Sequence, residues 1–111
     1  MLDPLSRTLA ALADPTRRAM VLRLSQGDAT VGELGAPFAL SQPAISKHIK
    51  VLQVAGLITQ TRAAQTRPCR LEPAPLQELA AFADHFRKVT EGQLDQFATY
   101  LAQIEIAGAS K

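Results

Sequence analysis

Apolar residues recur at helical spacing through the first half of the chain, and capping residues and prolines divide them into segments. Leu2, Leu5, Leu9 and Leu12 fall three and four apart, which predicts a short amphipathic helix. Asp14-Pro15-Thr16 opens a second. Asp14 suits the N-cap, and Pro15 at the first helical position has no amide to leave unpaired. That helix runs through Met20, Val21 and Leu24 and stops at Gly27. Thr30 caps a short third helix through Val31 and Leu34 toward Phe38, weakened by Gly32, Gly35 and Pro37. Ser41 caps a fourth, with Pro43 still in its first turn. Ile45, Ile49 and Leu52 give that helix a buried face, and Gly56 ends it.

The period then changes. Leu57 to Arg62 alternates loosely and is β-branched, which predicts a strand; Ala63 to Thr66 turns, and Arg67 to Glu72 returns along an edge that tolerates Pro68. After Pro73 and Pro75 the pattern predicts one long helix over residues 76–106. Its apolar stripe holds Leu79, Phe82, Ala83, Phe86, Val89, Leu94, Phe97, Leu101 and Ile104. Asp84, His85, Lys88, Asp95, Gln96 and Gln103 lie opposite. At 1.5 Å per residue such a helix is about 47 Å long, more than a small domain can cover. A second copy of the chain is the simplest cover, in a two-fold interface of Leu5, Leu9, Leu79, Phe82, Phe86, Phe97 and Leu101.

Helix, short turn, helix and hairpin in this order predict a mainly α winged helix-turn-helix with a small β-hairpin (α+β). The order is α1-α2-α3-α4-β1-β2-α5, dimeric through the first and last helices. The expectation is one domain over residues 1–111, with the recognition helix at about 41–55, the wing at about 57–72 and the dimerisation helix at about 76–106. Its 111 residues are the size of one ordinary domain, and 47% hydrophobic residues supply a core. No apolar run approaches the roughly 20 residues that span a bilayer, so no membrane partner is expected. A single cysteine, Cys69, fits a reducing compartment, read here as cytoplasmic.

Charge sharpens the picture. Residues 41–72 hold Lys47, Lys50, Arg62, Arg67 and Arg70 against Glu72 alone, while residues 1–40 balance and residues 73–111 are net acidic. One segment therefore carries the positive excess, as a nucleic-acid contact surface would. In helix-turn-helix proteins the second helix enters the major groove and its N-terminal residues meet base edges. Gln42 can pair with adenine, Lys47 and Lys50 can reach guanine, and Ser46 suits either. Ser41, Pro43 and His48 complete the predicted DNA surface of the helix, with Ser41 and His48 toward phosphates. Arg62, Gln65, Thr66 and Arg67 supply the wing, and Arg17 or Arg18 are further candidates for phosphate.

Leu12-Ala13-Asp14-Pro15-Thr16-Arg17-Arg18 resembles the opening signature of the arsenic-repressor (ArsR/SmtB) family of bacterial regulators. Residues 41–52, Ser-Gln-Pro-Ala-Ile-Ser-Lys-His-Ile-Lys-Val-Leu, with Ala55-Gly56-Leu57-Ile58, are similar to its recognition helix and the start of its wing. Leu94-Asp95-Gln96 and Tyr100-Leu101 resemble the metal-independent members. The resemblance implies a homodimer, an inverted-repeat operator in double-stranded DNA, and repression by blocking RNA polymerase, often at the protein's own promoter. It leaves open an unknown inducer or a sequestering protein.

No metal or other cofactor is expected. The family's Cys-x-Cys site falls here on Glu33-Leu34-Gly35-Ala36, and its Asp-x-His pattern on the adjacent pair Asp84-His85. Cys69 is read as a bystander. No Ser-His-Asp arrangement, phosphate loop or paired carboxylates suggest an enzyme. The competing expectation is a winged helix used as a protein–protein adapter, which would show exposed Leu, Phe or Tyr on the fourth helix.

Overall fold

A computed structural model of the chain describes residues 2–61 and 67–109. The elements run α1 (Pro4–Leu12), α2 (Pro15–Leu24), α3 (Val31–Gly35), α4 (Gln42–Val54), β1 (Ile58–Gln60), β2 (Cys69–Leu71), α5 (Pro73–Asp84) and α6 (Arg87–Ala109). Each of the first four helices starts on a side-chain cap. Asp3 accepts from the Ser6 amide, Asp14 from Arg17, Thr30 from Glu33 and Ser41 from Ala44. Thr30 and Glu33 form a reciprocal capping box, each side chain accepting the other's backbone N–H.

Those hydrogen bonds to backbone amides hold the carboxyls of Asp3, Asp14 and Glu33 below their ordinary range. A depressed folded-state pKa stabilises the fold above the unfolded value, near about 4, and that stabilisation is lost as pH falls through the folded one. Acid titration should therefore unfold the parent chain at higher pH than it unfolds an Asp3→Asn/Asp14→Asn variant relative to its own neutral-pH stability. Equal slopes of stability against pH below about 4 would contradict this.

Met1–Leu79 and Ala80–Lys111 form two compact units. In the first, Ala11, Met20, Val21, Leu24, Leu34, Ile45, Ile49, Leu52, Leu57, Ile58 and Cys69 make one core, and Phe38, Leu71 and Leu76 pack against it. β1 and β2 pair antiparallel with Ile58 opposite Leu71 and Gln60 opposite Cys69. Ala29 adds a one-residue bridge to Cys69 through bonds of 3.1 and 2.7 Å, so the segment before α3 edges the hairpin. The chemistry-bearing helices α3 and α4 thus rest on the same core as the wing's base. Among the described residues no helix is long and apolar enough to cross a membrane.

Two glycines set the geometry of α3 and α4. Gly56 has φ +76°, the left-handed turn that stops α4. At Gly35 a Cβ would stand 3.2 Å from both Cγ atoms of Ile45, which is buried and β-branched. α3 and α4 approach through that gap. Gly35→Ala is expected to lower stability by about 1 kcal/mol, because overpacking of about 1–3 kcal/mol outweighs alanine's better helix propensity. Denaturant unfolding checks it; a more stable variant would mean that Ile45 can yield.

The C-terminal region departs from the expected single helix. α5 begins at Pro73, with Pro75 accommodated in its first turn, and it ends at Asp84. His85 donates to the Phe82 carbonyl and Phe86 to Ala83, three-residue bonds that tighten the turn before α6. Thr90 then returns its amide to the Phe86 carbonyl at 3.1 Å. Asp84 Oδ1 and Arg87 Nε pair at 2.9 Å across the break. The interruption has no Gly or Pro; Asp84, His85 and Phe86 are merely poor helix formers.

Candidate nucleic-acid interface

Leu34 of α3 and Ile45, Ile49 and Leu52 of α4 face the core. Burial of one side leaves Gln42, Pro43, Ser46, Lys47 and Lys50 exposed on α4. Lys47 and Lys50 have no carboxylate within ion-pair distance among the described residues, so both charges face water. Ser41 is exposed, but its Oγ accepts the Ala44 amide at 3.3 Å and so begins the helix. Together these residues give a polar, cationic strip about one helix wide, the dimension a major groove admits.

His48 differs from its neighbours. Its ring is half-buried, with Nδ1 3.2 Å from Arg17 Nη1 and 3.8 Å from Asp14 Oδ2. The expected phosphate role gives way to a contact with the start of α2, because position 48 falls on the flank of α4 beside its buried face. Arg17 and Arg18 are likewise engaged by the fold. Arg17 donates to the Ala10 and Ala11 carbonyls and Arg18 to those of Leu12 and Ala13, satisfying the C-terminal end of α1.

The wing is partly visible. Arg62, Gln65 and Thr66 lie outside the described residues. Arg67 is exposed and has φ +41°, in the left-handed region that costs a side-chain-bearing residue about 1 kcal/mol or more. Arg70 is paired with Asp28 at 3.2 Å. Behind the hairpin, Thr59 Oγ1 donates to Glu72 at 2.8 Å, and Gln53 of α4 bonds Gln60 of β1 at 3.2 Å. The second bond ties the end of α4 to the wing, and the first joins the two strands at its base.

Of the residues expected at a two-fold interface, Leu5 and Leu79 are half-buried, while Leu9, Phe82, Phe86, Phe97 and Leu101 are exposed. Phe82 and Phe86 meet edge to face at 5.5 Å. Tyr100 and Ile104 extend the exposed apolar set on α6. Sequence reading missed a groove of about 240 Å3 lined by Leu2, Arg7, Ala10, Arg17, Val51 and Val54. Its only sequence signal was the pair Val51 and Val54 beside the α4 stripe. Cys69 is fully buried and burial pushes its thiol up, which keeps it protonated and a poor ligand or nucleophile.

A profile of a helix-turn-helix domain family matches residues 12–61, which span α2 to β1. Over 80 residues the chain is 44% identical to the HTH-type transcriptional regulator Rv2034 of Mycobacterium tuberculosis, covering 72% of this chain and 75% of that one. It is 34% identical to the transcriptional repressor SdpR of Bacillus subtilis, over 67% of this chain and 82% of that protein. Over 90% of this chain and 86% of the other it is 31% identical to the arsenical resistance operon repressor of Escherichia coli. Among solved structures, the ArsR family transcriptional regulator RHA00566 superposes with a TM-score of 0.72 and 38% identity, over 80% of this chain and 98% of that one.

Proposed function

The chain belongs to the ArsR family of winged helix-turn-helix transcriptional regulators, and from that footing we propose how it reads and represses its operator. α4 enters the major groove as the recognition helix. Gln42 and Ser46 meet base edges, Lys47 and Lys50 reach guanine and neutralise the flanking phosphates, and Arg67 and the wing residues Arg62, Gln65 and Thr66 meet the neighbouring backbone. The observation that carries this is the division of α4 itself. Ile45, Ile49 and Leu52 are buried, while Gln42, Ser46, Lys47 and Lys50 present an exposed polar and cationic strip over the first turns of the helix, with the exposed Val51 and Val54 following only in its last turn.

Two copies join through α1 and the exposed apolar residues of α5 and α6, so two recognition helices face one side of the duplex. Successive major grooves lie about 34 Å apart, so the operator is an inverted repeat. Occupancy of that site excludes RNA polymerase, and the chain's own promoter is the first place to look. Footprinting on the DNA upstream of its gene tests this; protection without two-fold symmetry would overturn the dimeric reading.

Gln42 lies at the N-terminal end of α4, where base contacts concentrate. Gln42→Ala is expected to cost about 1–3 kcal/mol of operator affinity and to relax preference at one base pair per half-site. Competition binding with single-base operator variants measures both. If affinity and preference stay as in the parent, α4 does not read the site and the hairpin becomes the better reader.

A further inference from the structure

The guanidinium of Arg17 sits where α1 ends, α2 begins and α4 passes. Its Nε donates to the Ala11 carbonyl at 2.7 Å and its Nη2 to the Ala10 carbonyl at 3.3 Å. Its backbone amide donates to Asp14 Oδ2 at 3.0 Å, fixing the first turn of α2. Nη1 is left to reach across 31 residues of sequence to His48 Nδ1, at 3.2 Å. Arginine offers donors only, so this contact is a hydrogen bond when Nδ1 carries a lone pair, that is, for the neutral imidazole with its proton on Nε2. Asp14 Oδ2 faces the same nitrogen at 3.8 Å; no other carboxylate lies within ion-pair distance of the ring among the described residues.

We propose that Arg17 is a positioning residue for DNA recognition: anchored on the carbonyls that end α1, it grips His48 and fixes the rotation of the recognition helix. The proposal rests on the reading of α4 as that helix. Successive helical residues are turned by about 100°, so a rotation of α4 redirects Gln42, Ser46 and Lys47 together. Packing of Ile45, Ile49 and Leu52 presses the helix to the core but is non-directional. The Arg17–His48 bond is directional and sits on the flank, where it resists rolling. Base contacts need positions held to about 0.5 Å, which such a bond supplies.

The test is operator affinity across a salt series for the full chain, with the variants Arg17→Lys, His48→Asn, His48→Leu and the double variant Arg17→Lys/His48→Leu. Lysine keeps the charge but cannot hold two carbonyls and reach His48 with one compact ammonium. Asparagine offers an amide oxygen near the place of Nδ1; leucine offers none. Arg17→Lys and His48→Leu should each weaken binding about tenfold, the loss expected for a charge-assisted bond. The salt slope should be unchanged. His48→Asn should stay within about twofold of the parent, and the double variant should lose about tenfold rather than a hundredfold, as coupled partners do.

Full affinity in Arg17→Lys, with a slope made shallower by Arg17→Ala, would make Arg17 a phosphate contact and overturn the proposal. So would additive losses in the double variant, or a lowered melting temperature with parental affinity. Should Arg17→Lys not fold, the His48 pair decides: a parental Asn variant with a weakened Leu variant supports the grip, and equal affinities overturn it. Gln42→Ala run alongside separates the two readings. If it too leaves binding untouched, the role of α4 fails; if it alone weakens binding, only the grip fails.

Discussion

Phe86→Asp is expected to be a monomer at concentrations where the parent chain is a dimer, and to bind its operator at least a hundredfold more weakly. Phe86 is 50% exposed in the isolated chain, beside Phe82, with Phe97, Leu101 and Ile104 also exposed on α6. Patches of this kind on a soluble chain mark an interface. An aspartate placed there would be buried on association without a partner, at a cost of several kcal/mol. Two-fold symmetry counts that cost twice, so the dimer constant falls by about a thousandfold or more. DNA binding follows, because separate subunits lose the high effective concentration that seats the second half-site. The substitution spares the local fold. Phe86 stands immediately before α6, and its carbonyl receives the Thr90 amide. Aspartate is a favoured residue at a helix N-cap. Sedimentation velocity and circular dichroism together decide the matter. A Phe86→Asp chain that keeps its helix content and still sediments as a dimer removes α5 and α6 from the interface, as does a parent chain that is monomeric at micromolar concentration.

What could be read from the sequence were the features that a residue and its near neighbours determine. Asp14, Thr30 and Ser41 announce helix starts because each needs only the amide three residues on. Ile45, Ile49 and Leu52 announce the buried face of α4 because periodicity is local. Contacts between distant segments were invisible. Arg17 and Arg18 looked like free cations until the end of α1 supplied four carbonyls for them. Arg70 looked like a phosphate contact until the fold placed Asp28 beside it. His48 belonged to the cationic helix by sequence and to the α1–α2 corner by packing. The turn at His85 and Phe86 was missed for another reason. Gly92 has the lowest helix propensity in this stretch, yet it lies inside α6, whereas the break falls at Asp84, His85 and Phe86, three residues of only modestly low propensity.

The arginines engaged by the fold set the expected salt dependence of operator binding: Arg17 and Arg18 are held on backbone carbonyls and Arg70 on Asp28. Lys47, Lys50 and Arg67 are exposed, with Arg62 a fourth cation outside the described residues. Three or four phosphate contacts per subunit make six to eight for the dimer, and each contact contributes about −0.9 to the log–log slope. A slope of about −5 to −7 follows, so raising salt from about 50 to about 200 mM should cut affinity by roughly a thousand- to twenty-thousandfold. Counting Arg17 and Arg70 together with Lys47, Lys50, Arg62 and Arg67 would instead predict about −11 for the dimer. Two variants discriminate between the counts. Arg67→Ala should make the slope shallower by about 2, one unit for each subunit's lost contact, while weakening binding to all sequences alike. Arg70→Ala should leave the slope within about half a unit of the parent, because the pair with Asp28 already neutralises that charge. An Arg70→Ala slope as shallow as that of Arg67→Ala would mean that DNA displaces Asp28. The hairpin would then meet the backbone along β2 rather than at its tip.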